Sequence, residues 1–240
     1  MAADRRAPPH HWEFRARFRR GAFGWRSQPA ILRIREAVSE IRRVARREPV
    51  LAAEGSVLLL EKLSPALERV DSSSGSIGIA VDHAIEALVP LISRAPATAP
   101  LRSEWLERLW DAYQDDLIPY IESLGERWGE LCASAELASS WADELLGTVR
   151  MALSPDPSLR GHFCGISACL SSLYTAGRYQ EMVDILEMET FWHYRKWAVL
   201  ALAALGRKDD AIQLAEACRG PWTNDGEVNR MLEEILISSG

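Results

Sequence analysis

The sequence predicts an all-α fold, antiparallel helical hairpins stacked as a TPR- or HEAT-like solenoid, and three observations carry that expectation. From Ile31 onward apolar residues recur at three- and four-residue spacing, the period of a helix with one buried face. Nothing after that point reads as an internal strand. Near the C-terminal end a segment repeats: "AGRYQEMVDIL" and "LGRKDDAIQLA" align on Gly177 and Gly206, each glycine closing one helix and each following run opening an amphipathic partner.

The elements follow in order. "HHWEFRARFRRGAFGWRS", His10 to Ser27, belongs to a basic and aromatic N-terminal segment, residues 1–28. Trp12, Phe14, Ala16 and Phe18 alternate with Glu13, Arg15, Arg17 and Arg19, which fits an extended strand with one apolar face. A helix fits as well, since Phe14, Phe18 and Trp25 fall near one helical stripe. Residues 29–94 form a first helical block. Ile31, Ile34, Val38, Ile41 and Ala45 give one amphipathic helix, and Arg42, Arg43, Arg46 and Arg47 suit the negative end of its dipole. "VLAAEGSVLLLEKL" is apolar almost all round and so buried, and Ser64-Pro65 predicts a cap that restarts a short helix to Val70. "DSSSGSIG" lacks the lysine of a phosphate loop and predicts a turn ending in a helix cap before "IGIAVDHAIEALVPLI".

"SRAPATAPLRS" is the most linker-like stretch and predicts a break before a C-terminal repeat block, residues 101–240. Helices are expected near 102–117, 119–132 and 135–152, with Trp105, Trp110, Trp128 and Trp141 in helix packing. The glycine-centred repeat follows, and then "GEVNRMLEEILISSG", in which Gly240 stands 34 positions after Gly206. By the logic of the repeat, Gly240 opens a turn into another helix, so part of the stripe Met231, Leu232, Ile235 and Leu236 is expected to lie exposed. A longer chain, a second copy or another protein would cover it.

Composition narrows the function classes. At 240 residues with 48% hydrophobic content the chain has enough apolar mass for one large core or several small ones. The net charge of −6 conceals an asymmetry: residues 1–48 hold 13 arginines against five acids, the remainder 15 basic and 29 acidic residues. Basic front and acidic body attract each other or different partners. Four irregularly spaced cysteines without a charged-then-apolar leader predict a reducing, cytoplasmic setting. No apolar run approaches the roughly 20 residues of a membrane span, so no membrane partner is expected.

At "CLSSLYTAGRYQEMVDIL", "KWAVLALAALGRKDDAIQLAEACRG", "EEILISSG" and "SPALERVDSSSGSIG" the chain resembles a bacterial family of TPR-like helical-repeat proteins related to the helical region that accompanies SWIM-type zinc fingers. The resemblance implies a helical-repeat fold over most of the chain, continuing past "SSG" in family members. The finger's Cys-x-Cys and Cys-x-His pairs are absent, so its zinc and nucleic-acid role does not carry over.

No catalytic, cofactor or metal site is nominated. His162, Cys164 and Cys169 lack the spacing of a zinc knuckle and read as a packing helix with buried thiols. Glu104, Glu107, Asp111 and Asp115, and Glu122, Glu126 and Glu130, repeat at helical spacing, but without Glu-x-x-His they read as solvated faces, not as a carboxylate metal site. Gly-x-Ser-x-Gly, His-Glu-x-x-His and Gly-x-Gly-x-x-Gly do not occur. Trp12, Phe14, Arg15, Arg17, Arg19, Arg20 and Trp25 are candidate contacts: as an N-terminal cap on the first helical pair, as a single-strand nucleic-acid surface, or with another partner. The expected function is a non-enzymatic protein-interaction scaffold, by protein partner or self-association. A nucleic-acid adaptor and a helical enzyme follow as alternatives.

Overall fold

The computed structural model describes residues 10–156, 158–220 and 223–237, so Gly240 lies outside the described residues. Among them the chain is helical, with eleven α-helices, two 3₁₀ turns and no strand. It divides into two compact units, Met1–Leu124 and Gly125–Gly240.

The first unit holds a 3₁₀ turn at Glu13–Ala16, then α1 (Ser27–Ala45), α2 (Pro49–Leu67), α3 (Ser76–Ser93) and α4 (Ala99–Gln114). α1, α2 and α3 pack against one another and α4 packs on α2. α1 buries Ala30, Ile31, Ile34, Ala37, Val38 and Ile41, one stripe at three- and four-residue spacing. α2 is apolar on all sides because it has neighbours on all sides, with Leu59, Leu60, Leu63 and Leu67 fully enclosed. It runs unbroken through Ser64-Pro65, where the sequence predicts a restart. Pro65 stands in the last turn, and its carbonyl accepts the Gly21 N–H at 2.8 Å. By length and composition α3 is apolar enough to cross a membrane. Here its Ile77, Val81, Ile85, Leu88, Val89 and Ile92 are core, packed on α1 and α2. Before it, Asp71 accepts the Ser73 N–H at 3.0 Å, and Gly75, at φ +69°, supplies the bend. The helix cap expected from the serines is thus a left-handed glycine.

The linker-like stretch lies inside this unit. The Arg102 guanidinium turns back into the core and donates to the Ile92 and Ala95 carbonyls, at 3.0 and 2.8 Å, satisfying the end of α3. Arg108 then grips α2, with two bonds to Glu61 at 2.9 and 2.8 Å and one to Glu54 at 2.6 Å. The division between units falls after Leu124, beyond the expected break at 94–101.

The second unit holds α5 (Trp128–Cys132), α6 (Ala135–Ala152), α7 (Ile166–Thr175), α8 (Tyr179–Ile185), α9 (Trp192–Ala204), α10 (Lys208–Ala217) and α11 (Asp225–Ile237). Each helix from α5 to α11 packs on one next to it in sequence, and α7 also packs on α5 and α9. The helix expected at 119–132 is instead a 3₁₀ turn, Glu122–Arg127, followed by the short α5. α5 crosses α7 so closely that Gly129 has no room for a side chain, its Cβ position overlapping Ser171 O and Thr175 Oγ1. Ser134 caps α6 by accepting the Leu137 N–H at 3.2 Å.

Candidate functional site

The N-terminal segment covers α1 and α2. Trp12, Phe14 and Phe18 are buried, and Phe14–Phe18 and Phe18–Phe23 meet edge to face, with centroids 6.1 and 5.0 Å apart. The rings reach this position through a 3₁₀ turn, not the alternating strand. The Arg17 and Phe18 amides both donate to Phe14 O, which puts Phe14 and Phe18 on one side and leaves Ala16 exposed. Arg17 meets Glu36 at 3.2 Å and Arg20 meets Glu68 at 2.8 Å. Arg15 is exposed, and Arg19 bonds its own turn at Ala16 O. Of the candidate contacts, Trp25 alone offers a large free ring, 72% exposed. Its carbonyl is held by the Asp71 N–H at 2.9 Å.

This cap changes what α1 presents. Its two acids are Glu36, which Arg17 and Arg33 both engage, and Glu40, whose carboxylate accepts the Glu13 and Phe14 amides at 2.8 and 3.3 Å. Both acids of α1 are thus engaged. Arg35, Arg42, Arg43 and Arg46 are exposed beside a groove of about 570 Å³ between α1 and α3, together with His83. None of the four has an acidic partner among the described residues. In the sequence they read as dipole partners; only the packing of α3 beside α1 gathers them on a groove.

In the second unit the two repeat glycines make the same turn. Gly177 (φ +73°) and Arg178 donate to Tyr174 O and Leu173 O; Gly206 (φ +77°) and Arg207 donate to Ala203 O and Leu202 O. Each is a Schellman closure that requires the left-handed conformation glycine tolerates. In each, the next arginine bonds the acid three residues on, Arg178 to Glu181 at 2.8 Å and Arg207 to Asp210 at 2.7 Å. Met182 and Ala211, equivalent positions one turn further, are both fully buried, so the methionine fills the packing role of the alanine with a larger side chain. Between α8 and α10, over α9, lies a groove of about 470 Å³ whose apolar lining includes Val183, Leu186, Ala198, Leu202 and Leu214. Asp184, Glu187, Arg195 and Arg207 rim it.

A polar cluster ties α7, α9 and α11 together. Ser167 Oγ lies 3.3 Å from His193 Nε2, His193 Nδ1 lies 3.4 Å from Glu126, and Lys196 Nζ bridges Glu126 and Glu227 at 3.0 and 3.5 Å. The connectivity is that of a Ser-His-acid relay. Its setting is not: Ser167 is 6% exposed, neither groove above reaches it, and the carboxylate is shared with an ammonium. The cluster is a packing network.

The chain matches no family model, no curated protein and no solved structure. The remaining sequence candidates are placed as follows. Cys169 is buried in α7, its thiol pushed up to about 12 by burial, but Cys164 lies before the helix and is exposed, not a buried packing residue. No group of three or more metal-ligating side chains occurs among the described residues. Glu104, Glu107 and Asp111 form an exposed face of α4. Glu122, Glu126 and Glu130 do not share one helix; Glu130 pairs with Arg127. In α11, Val228 and Ile235 are buried in a cluster with Trp192, Val199 and Leu202, and Met231 and Leu232 pack partly against it. Leu236 and Ile237 are 60% and 79% exposed.

Proposed function

We propose that the chain is a non-enzymatic, TPR-like helical-repeat scaffold that holds a segment of a partner protein in the α8–α10 groove. The pair of equivalent glycine turns supports the repeat reading: two hairpins, α7/α8 and α9/α10, are closed by the same backbone bonds and the same arginine–acid pair. The resemblance to bacterial helical-repeat proteins is part of the same proposal. Successive hairpins of this kind bury their apolar faces on each other and leave a groove between them. The groove's apolar floor and mixed-charge rim are the observation that carries the function, because a peptide anchor needs a desolvated pocket and a polar margin. Four free thiols, one of them exposed, support a reducing cytoplasmic setting.

Cross-linking of the full chain to its captured partner, with peptide mapping and measured stoichiometry, tests this. Cross-links concentrated on α8 to α10, lost in D184K/A217K while the circular dichroism spectrum is unchanged, are the expected result. Cross-links confined to other surfaces, or capture indifferent to the double substitution, would refute the groove as the docking site.

A further inference from the structure

We infer that the arginine-lined groove between α1 and α3 binds the phosphate backbone of a nucleic-acid duplex, without regard to sequence. This site lies in the first unit and is independent of the α8–α10 reading.

The array is one of uncompensated charge. The cap occupies Glu36 and Glu40, the first by ion pairs with Arg17 and Arg33, the second by hydrogen bonds from two backbone amides, so neither carboxylate pairs with the arginines of the groove. Arg35, Arg42, Arg43 and Arg46 remain exposed on α1 with no acidic partner among the described residues, in a chain that has 34 acids to offer. Arg42 and Arg46, four apart, repel each other, as do Arg43 and Arg46, three apart. The helix dipole accounts for arginines in the last turn. It does not account for Arg35, about 16 Å from Arg46 along the axis, because the dipole's effect ends within the last turn.

Three observations select the ligand. The four arginines stand at positions spread along about 16 Å of the α1 axis, so they suit a linear polyanion better than a single phosphate group. Over about 16 Å of axis a duplex presents roughly ten backbone charges. Of the apolar residues beneath, Ile34, Val38, Ala80 and Ala84 are at most 8% exposed and only the short Ala87 is half-buried, so the groove has no counterpart to the half-buried Val183 and Leu214 of the α8–α10 groove that could anchor a protein partner. No Trp, Tyr or Phe ring lines it, and the rings of Trp12, Phe14 and Phe18 are buried, so the groove itself gives single-strand bases no large ring on which to stack. What remains is charge on charge, with His83 as a further polar group on the α3 wall.

The test is fluorescence anisotropy of a labelled 20-base-pair duplex with the full chain, across salt concentrations. Four phosphate contacts predict a slope of log K against log salt of about −3.6, and so a loss of roughly 150-fold between 50 and 200 mM salt. R42Q/R46Q should halve that slope and weaken binding at 50 mM by more than about 30-fold. R15Q/R19Q, an equal change of charge on the N-terminal segment, should stay within about threefold of the native chain. Glutamine is a good helix former, and relief of like-charge pairs offsets the lost dipole interaction, so the melting temperature of R42Q/R46Q should change little. No binding at 50 mM salt would overturn the inference. So would equal loss in R15Q/R19Q, tighter binding of the single strand, equal binding of poly-glutamate, or a lowered melting temperature that accounts for the lost binding.

Discussion

Replacing Gly55 by alanine should detach the N-terminal segment from α2. Gly55 lies beneath the Trp12 indole, and a Cβ there would overlap Cζ2 and stand 2.7 Å from Cε2 and Cη2. α2 is held on several sides, so the ring must be the group that moves. Trp12 is 4% exposed. A tryptophan side chain of roughly 200 Å² at ~25 cal/mol/Å² gains about 5 kcal/mol from full burial, an upper bound. A ring that slides aside and keeps half of that burial loses about 2.5 kcal/mol. Alanine in place of a helical glycine returns about 1 kcal/mol, leaving a net destabilisation of about 1.5 kcal/mol. Urea unfolding reads this total. Limited trypsin digestion with mass spectrometry reads the local part, since release of the segment exposes the bonds after Arg15, Arg17, Arg19 and Arg20. A local loss of about 2.5 kcal/mol should accelerate those cleavages more than tenfold. If G55A were about 1 kcal/mol more stable, the bare propensity gain, with cleavage no faster, the packing of Trp12 on Gly55 would be disproved.

Three further outcomes follow from the geometry. G129A, whose Cβ would meet the Ser171 carbonyl and Thr175, should destabilise the second unit by about 2–3 kcal/mol in urea unfolding, and a neutral effect would contradict the α5–α7 crossing. G177A and G206A, both at positive φ with open space around the Cβ, should each cost about 1 kcal/mol, whereas G147A, in the exposed interior of α6, should stabilise by about 0.5–1 kcal/mol; unequal costs at the two turns would argue against their equivalence. Burial holds the Asp116 carboxyl above the usual carboxylate range, so its charged form is penalised in the folded state. Its contribution is therefore most favourable below the unfolded carboxylate range and declines as pH rises through the folded value; D116N, which keeps an oxygen for the Ile121 N–H, should flatten that decline in melting temperature between acid and neutral pH, and an unchanged profile would refute the assignment.

What the sequence determined by itself was local. The three- and four-residue spacing of α1, the all-round apolar character of α2, and the glycines at 177 and 206 dictate helix, burial and turn, because each follows from the period of the backbone or from a φ that only glycine takes freely. Where two local signals competed, the sequence could not choose. Ser64-Pro65 reads as a cap, yet a proline in the last turn of an otherwise enclosed helix is carried along by its packing. Trp12, Phe14 and Phe18 alternate as a strand would, yet Phe14 and Phe18 also lie one turn apart, and the surface offered by α1 and α2 selects the turn. "SRAPATAPLRS" reads as a linker because nothing local reveals that Arg102 bonds back to Ile92 and Ala95. Both candidate surfaces were legible only in part for the same reason. The arginines of α1 were visible, but their lack of partners depends on which carboxylates the N-terminal segment reaches, and the α8–α10 groove depends on how two hairpins stack. Charge balance and concavity are sums over residues distant in sequence, and only the tertiary structure brings those residues within the few ångströms over which pairing and desolvation act.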